Sequence, residues 1–312
     1  MPTSHHHPAH EHHHHHHHHA HRPGPGNRAF AWGIGLNVAL VVVQVVYGLI
    51  AHSLALLADA GHNLSDVMGL VIAWLAAMAA RRRPTVRLSY GLRATSIWAA
   101  LFNAVLILVA CGAIAWEAIE RLSAPHAVNA TIVLWVAALG ALVNGVSAWF
   151  FHSHASHDLN ARGAYLHLLG DAAVSLGVVV GALVIAATGW YWVDPALSLA
   201  VVAVIVLTTW RLFRESLHLA LGGVPLSIDP VAVRKFLATR AQVADVHDLH
   251  VWAMSTTEVA LTAHLVMPNG HPGDGFLREL AHDLEQRFGI HHATIQIERG
   301  ELACGLAPDS VV

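Results

Sequence analysis

The sequence predicts a polytopic α-helical membrane domain followed by a small α+β domain. Three observations predict it. The chain is 55% hydrophobic and only 12% charged, where a soluble domain carries about 25% charged residues, and its mean hydropathy is positive. Six apolar stretches are separated by polar connections. From about Pro225 these runs give way to shorter alternating and amphipathic segments.

Residues 1–27 come first. They hold His5–His7, His10, an unbroken histidine run from His12 to His19, His21 and a Pro/Gly stretch. Such a composition cannot build a core and reads as a disordered tail. The interleaved Pro8, Ala9, His10 and Glu11 favour a metal-binding tail over an appended affinity tag. No apolar run marks a secretory signal there.

The apolar stretches lie near 30–51, 55–80, 95–120, 129–151, 163–188 and 193–215. Each reaches the ~20 residues that cross ~30 Å of hydrocarbon. Arginine sets the orientation. Arg81, Arg82, Arg83, Arg87 and Arg93 crowd the 2–3 connection, Arg22 and Arg28 precede the first stretch, Arg162 lies in the 4–5 connection, and Arg211 and Arg214 close the sixth. The opposite side has Arg121 alone. The positive-inside rule then expects both termini in the cytoplasm, as six spans require.

Beyond Pro225, Ser227–Ile228–Asp229–Pro230 starts a helix that runs to about Arg240, with proline in the first turn. Asp245–Trp252 and Glu258–Met267 alternate as strands. Asn269–Gly270 and Pro272–Gly273 mark a loop. Phe276–Phe288 is an amphipathic helix with Phe276, Leu277, Leu280, Leu284 and Phe288 on one side. Thr294–Glu298 reads as a short last strand. The order α-β-β-α-β predicts a small α+β domain. The chain thus divides into a tail (1–27), a transmembrane domain (28–222), a cytoplasmic domain (223–300) and a C-terminal tail (301–312). Its two cysteines, Cys111 and Cys304, form no CxxC and predict no disulfide.

Two pairs of one form carry the chemistry. His62 and Asp66 in the second stretch, and His167 and Asp171 in the fifth, are both H-x-x-x-D. That spacing puts both members on one helix face. An ionisable residue at bilayer depth costs roughly 2.5–3.5 kcal/mol on insertion scales and marks a functional site by default. One such pair reads equally as a helix–helix hydrogen bond or a proton relay. The repeat favours a shared site of four imidazole and carboxylate ligands, the set a tetrahedral zinc ion takes. Metal needs neutral imidazole and ionised carboxylate, so it competes with protons, and histidine titrates near physiological pH. The same residues can exchange zinc for H+.

Other polar residues speak less clearly. Asn37, Gln44, Asn103 and Asn144 read as interhelical hydrogen-bonding groups. Asp59 either supports the ligands from behind or lies near the membrane surface. Glu117 and Glu120 belong at the outer interface. His152, His154 and His157, with Asp158, are a capture site for metal or a solvated loop. In the C-terminal domain, His247, His250, His264, His282, His291, His292 and Glu298 are candidate ligands, with His247, His264, His291 and Glu298 drawn from different elements.

The run from Ser53 to Asp66 resembles the second-helix signature of the cation diffusion facilitator family. Tyr90–Gly91–Leu92–Arg93, Ala99–Ala104, His167–Asp171 and His247–Trp252 resemble it too, in order, over residues 28 to 300. The likeness is to the bacterial zinc/cobalt/cadmium-efflux branch, which is similar to vesicular zinc transporters. It implies a homodimer in the bacterial inner membrane, six transmembrane helices, a ferredoxin-like, metallochaperone-like cytoplasmic domain, and export of Zn2+ (with Cd2+ or Co2+) against H+. It implies transport through His62, Asp66, His167 and Asp171, and a regulatory site on His247, His264, His291 and Glu298. Gln296 and Glu298 stand where some relatives have histidine and aspartate, and the 2–3 connection lacks a metal-binding Asp/His cluster. No nucleic-acid partner is expected.

Two other classes are distinguishable. An intramembrane metallohydrolase needs an open coordination position and a base beside metal-bound water, which four convergent ligands do not leave. A membrane metal sensor without transport would rest on the His-rich tail and the C-terminal domain.

Overall fold

The computed structural model describes residues 26–80, 82–152 and 159–307. Among these residues six long helices come first: α1 (Gly26–Ala51), α2 (Leu54–Ala80), α3 (Thr95–Ser123), α4 (Ala130–His152), α5 (Leu159–Thr188) and α6 (Val193–Ala220). Thr95–Ser123, Ala130–Trp149, Tyr165–Thr188 and Val193–Ala220 are long and apolar enough to cross a bilayer. Phe102, Val109, Trp116, Trp135, Leu142 and Leu207 stand exposed on the bundle. A soluble protein would not leave such a surface bare, and the domain is a helical membrane domain. The sixth helix runs on to Ala220, past the expected end near 215.

α4 packs along α5, and α3 along α6. α2 lies between these pairs, against α1, α3, α6 and part of α5. Its first turn is held from outside. Asp194, in the first turn of α6, accepts the backbone N–H of Leu54 at 2.7 Å and of Ala55 at 3.4 Å, and also the Ser53 hydroxyl. The Ser53 Oγ accepts the N–H of Leu56 at 3.2 Å. The free N–H groups of a helix start are thus satisfied within the apolar bundle. His52 makes the α1–α2 turn at φ 54°, and Arg121 of α3 donates to its carbonyl at 2.7 Å.

The C-terminal domain contains α7 (Pro230–Ala238), β1 (Asp245–Ala253), β2 (Val259–Val266), α8 (Asp274–Phe288) and β3 (Ile290–Glu298). The Asp229 carboxylate accepts the Val231 N–H at 2.9 Å and caps α7. The sheet order is β1-β2-β3, with β1 antiparallel and β3 parallel to β2. Val233, Leu237, Val246, Leu261, Leu265, Leu280, Leu284 and Ile290 form its core, with Phe276 and Phe288 packed at the edge. The last strand is longer than the expected 294–298. Gly289 ends α8 in the left-handed region (φ 67°), so the chain turns at once and pairs from Ile290.

The two parts meet where α3 begins. The Arg93 Nε lies 2.9 Å from the Glu258 carboxylate. The Thr256 N–H donates to the Ser96 hydroxyl oxygen at 3.1 Å. The rings of Tyr90 and His292 meet edge to face at 5.8 Å. Cys111 and Cys304 are both free thiols.

Candidate metal centre

α2 and α5 bring the repeated pairs together, and the pairing is crossed. The His62 Nε2 is 2.8 Å from the Asp171 carboxylate, and the His167 Nε2 is 3.2 Å from that of Asp66. The His167 Nε2 also lies 3.8 Å from Asp171, one turn along its own helix. The two imidazoles meet edge to face at 6.3 Å. Donor atoms of His62, Asp66 and Asp171 lie within 4.8 Å of one another, and His167 joins from the open side. The His62 and Asp171 side chains are 13% and 6% exposed, against 30% for Asp66 and 53% for His167. The cluster therefore has a closed end and an open end.

Behind it lies a second polar tier. Asp59 is buried, as are Gln44, Asn63, Asn144 and Ser175. The Gln44 Nε2 donates to the Asp59 Oδ2 at 2.6 Å, and the Ser175 hydroxyl donates to the same oxygen at 3.0 Å. The Asn63 Nδ2 donates to the Gln44 Oε1 at 2.9 Å. Asp59 therefore lies inside the bundle, and Gln44 and Asn144 belong to its network. Ser175 was not singled out by the sequence, although it falls one turn after Asp171 on the same face of α5.

A third cluster sits on the C-terminal sheet. His247 and His264 are direct cross-strand partners, and donor atoms of His247, His264, Glu298 and Cys304 lie within 4.8 Å of one another. The His247 Nε2 is 3.2 Å from Glu298, and the His264 Nδ1 is 3.0 Å from it. The Cys304 Sγ approaches the His264 Nδ1 at 3.7 Å. Burial raises the Glu298 carboxyl, but hydrogen bonds from Gln296 and Cys304 and the nearby His247 and His264 outweigh it and hold it below the usual glutamate value. Neither ring nitrogen of buried His247 makes an aligned hydrogen bond. A buried ring nitrogen left with its lone pair unpartnered fits a metal ligand.

His291 is a correction. It lies exposed on β3 and outside the cluster. It is the extra residue where β3 slips register between Ile290 and His292, seven residues from Glu298 and so roughly 23 Å along an extended strand. Cys304 takes its place, from the loop after β3. His250 turns outward and bonds Asp248 at 2.9 Å. Asp248, at φ 49° in a bulge between His247 and His250, also reaches the His264 Nε2 at 3.3 Å. His154, His157 and the side chain of His152 lie outside the described residues, as do Arg81 and residues 1–25.

An apolar helical bundle with an imidazole–carboxylate cluster between two helices, joined to a small domain with a second such cluster, defines an integral membrane metal transporter. The sequence comparisons are specific about which kind. The cation efflux transmembrane domain matches residues 31–219, and the cytoplasmic domain of cation efflux proteins matches residues 225–300. Zinc transporter ZitB of Escherichia coli (strain K12) is 38% identical over 87% of each chain. The metal cation efflux system protein CzcD of Cupriavidus metallidurans is 37% identical over 87% of this chain and 86% of its own. The cadmium, cobalt and zinc/H(+)-K(+) antiporter of Bacillus subtilis is 33% identical over 82% and 84%. The chain belongs to the cation efflux family, and is a transporter rather than an enzyme.

Proposed function

We propose that this chain exports Zn2+ from the cytoplasm in exchange for H+, with Cd2+ and Co2+ as further cargo. The crossed pairing of α2 with α5 is the observation that carries this reading, with His62, Asp66, His167 and Asp171 as the transport ligands. Mixed imidazole and carboxylate ligands suit zinc and its neighbours, and the names of the relatives above support both the cargo and proton coupling.

The exchange follows from charge. With neutral imidazoles the cluster carries the charge of two carboxylates. One Zn2+ neutralises it, and so do two protons on the imidazoles. In surroundings of low dielectric an uncompensated charge is costly. Metal and protons are therefore alternative occupants, and each holds α2 against α5. Rocking of the α4–α5 pair against α3–α6 would alternate access, as in other secondary transporters.

In this reading all six long helices cross the inner membrane of a bacterium and both termini are cytoplasmic. The reading divides the chain into a transport domain at 28–222 and a second domain at 223–300, with tails at 1–27 and 301–312. The α7–β3 region is a ferredoxin-like, metallochaperone-like domain that joins two copies into a homodimer. His247, His264, Glu298 and Cys304 sense cytoplasmic metal. The His-rich tail and His152, His154 and His157 concentrate it near the entrance.

The test is cellular zinc in a bacterium lacking its own zinc exporters. Expression of the chain is expected to lower zinc content under zinc load, and Asp171→Ala to return it to that of the empty strain. An Asp171→Ala protein that reaches the membrane and still lowers zinc overturns the reading.

A further inference from the structure

Asp59 is one turn from the metal ligands and is not one of them. It is enclosed by four helices: Gln44 comes from α1, Asn63 from α2 itself, Asn144 from α4 and Ser175 from α5, all buried. α4 can come this close because it has Gly140 there. A Cβ on Gly140 would stand 3.1 Å from the Gln44 Nε2 and 3.3 Å from the Ser175 Oγ. The network is a chain with a direction. Asn144 donates to Asn63 at 3.5 Å, Asn63 to Gln44, and Gln44 to Asp59, while Ser175 adds its hydroxyl. Donors therefore converge on the carboxylate, which suits its ionised form. They do not form a cage of oxygens, so a metal cation at this point would meet the Gln44 amide hydrogens. The same atoms serve a protonated acid once the amides turn over: Asp59 then donates to Gln44, and the chain runs the other way.

We propose that Asp59 is a proton-binding site separate from the four metal ligands, and that it gives up its proton when metal enters. The inference rests on the proton-coupled transport argued above. Neutral amides and a hydroxyl leave a buried carboxylate without a countercharge. Once the imidazoles have given up their protons, the metal-free ligand cluster, with Asp66 and Asp171 ionised, adds like charge nearby and holds the proton on Asp59. A divalent ion on His62, Asp66, His167 and Asp171 removes that repulsion, and the amide chain then stabilises the carboxylate. The proton leaves to water on the side from which the metal came; when the metal departs, another is taken up from the side then open.

The other titratable and charged groups are few. On α2 they are His62 and Asp66, and on α5 His167 and Asp171. On α6 Asp194 sits at the head of α2. On α3 Cys111 packs near Ala58, and Glu117 and Arg121 lie at the same end as Asp194. Among the described residues, α1 and α4 bring only Gln44, Asn144 and Gly140 to the carboxylate.

The experiment is proton release on Zn2+ binding to the full-length protein in detergent, followed with a pH indicator and repeated across pH. Asp59→Asn keeps the shape and the amide contacts but cannot titrate. It is expected to release about one proton fewer per zinc, with a slope of log affinity against pH lower by about one. Equal release and equal slope overturn the proposal and leave the transport reading intact. A wild-type protein that binds no zinc, or releases no protons, overturns both. Should Asp59→Asn fail to fold, infrared difference spectra of zinc-bound minus zinc-free protein decide. The wild type must lose the carbonyl stretch of a protonated acid, and Ser175→Ala, which touches Asp59 alone among the carboxylates, must move that band. A missing band, or one indifferent to Ser175→Ala, overturns the proposal.

Discussion

His62, Asp66, His167 and Asp171 were legible because each pair repeats a helical turn within an apolar stretch, where a charge needs a reason. The cytoplasmic cluster was less so. His291 falls at the far end of the strand from Glu298 once β3 is known to begin at Ile290, and nothing in local spacing brings in Cys304, which reaches back from the loop beyond the sheet. Two predictions belong at this scale. His62→Asp replaces a borderline ligand with a hard one, so metal competition on the purified protein should move towards Mn2+ and away from Zn2+; an unchanged ranking would mean that His62 does not select the cargo. Cys304→Ser removes the one soft ligand from the C-terminal cluster. Cadmium affinity there should fall more than zinc affinity, by roughly 10-fold or more, in titrations of protein carrying Asp171→Ala. Equal losses for both metals would place the thiol outside the site.

Helices were easier to read than their ends. Apolar length marked the membrane helices, but the first turn of α2 depends on a carboxylate from a helix some 140 residues later, which no local pattern reveals. Asp194→Ala would leave buried N–H groups of that turn without an acceptor, at a cost of about 1–3 kcal/mol. A lower melting temperature in detergent is expected, together with weaker zinc binding, because the same helix carries His62 and Asp66. Unaltered melting would show that another acceptor replaces the carboxylate. The start of β3 was misjudged for a different reason: exposed His291 and His292 hide the alternation of an edge strand, and the left-handed turn at Gly289 is the better signal. Within the sheet, Leu261 is fully buried. Leu261→Ala should cost about 2–5 kcal/mol, read as loss of the soluble domain's unfolding transition at its normal temperature.

At the scale of the whole molecule, the parts that carry the two candidate metal clusters meet at a junction where α3 begins. Arg93 and Glu258, each about a third exposed, contribute no more than ~1 kcal/mol as a partly solvated pair, so the junction is weak enough to open. It attaches the β1–β2 turn to the start of α3, and α3 packs on α6 and α2. A metal-dependent change in the sheet could reach the transport helices along these contacts, and along the end of α6, where His218 holds the Val224 carbonyl at 2.8 Å. The change from long apolar stretches to short alternating ones and the repeated His/Asp pairs could be read from the sequence; the junction stayed hidden because its partners lie far apart in the chain and look like ordinary surface residues. The central claim, that one His/Asp cluster exchanges metal for protons, is tested most directly by zinc flux in proteoliposomes under an imposed pH gradient, with wild type beside His167→Ala. The account predicts zinc movement that follows the gradient and disappears in the variant. Flux that ignores the gradient, or survives the loss of His167, would contradict it.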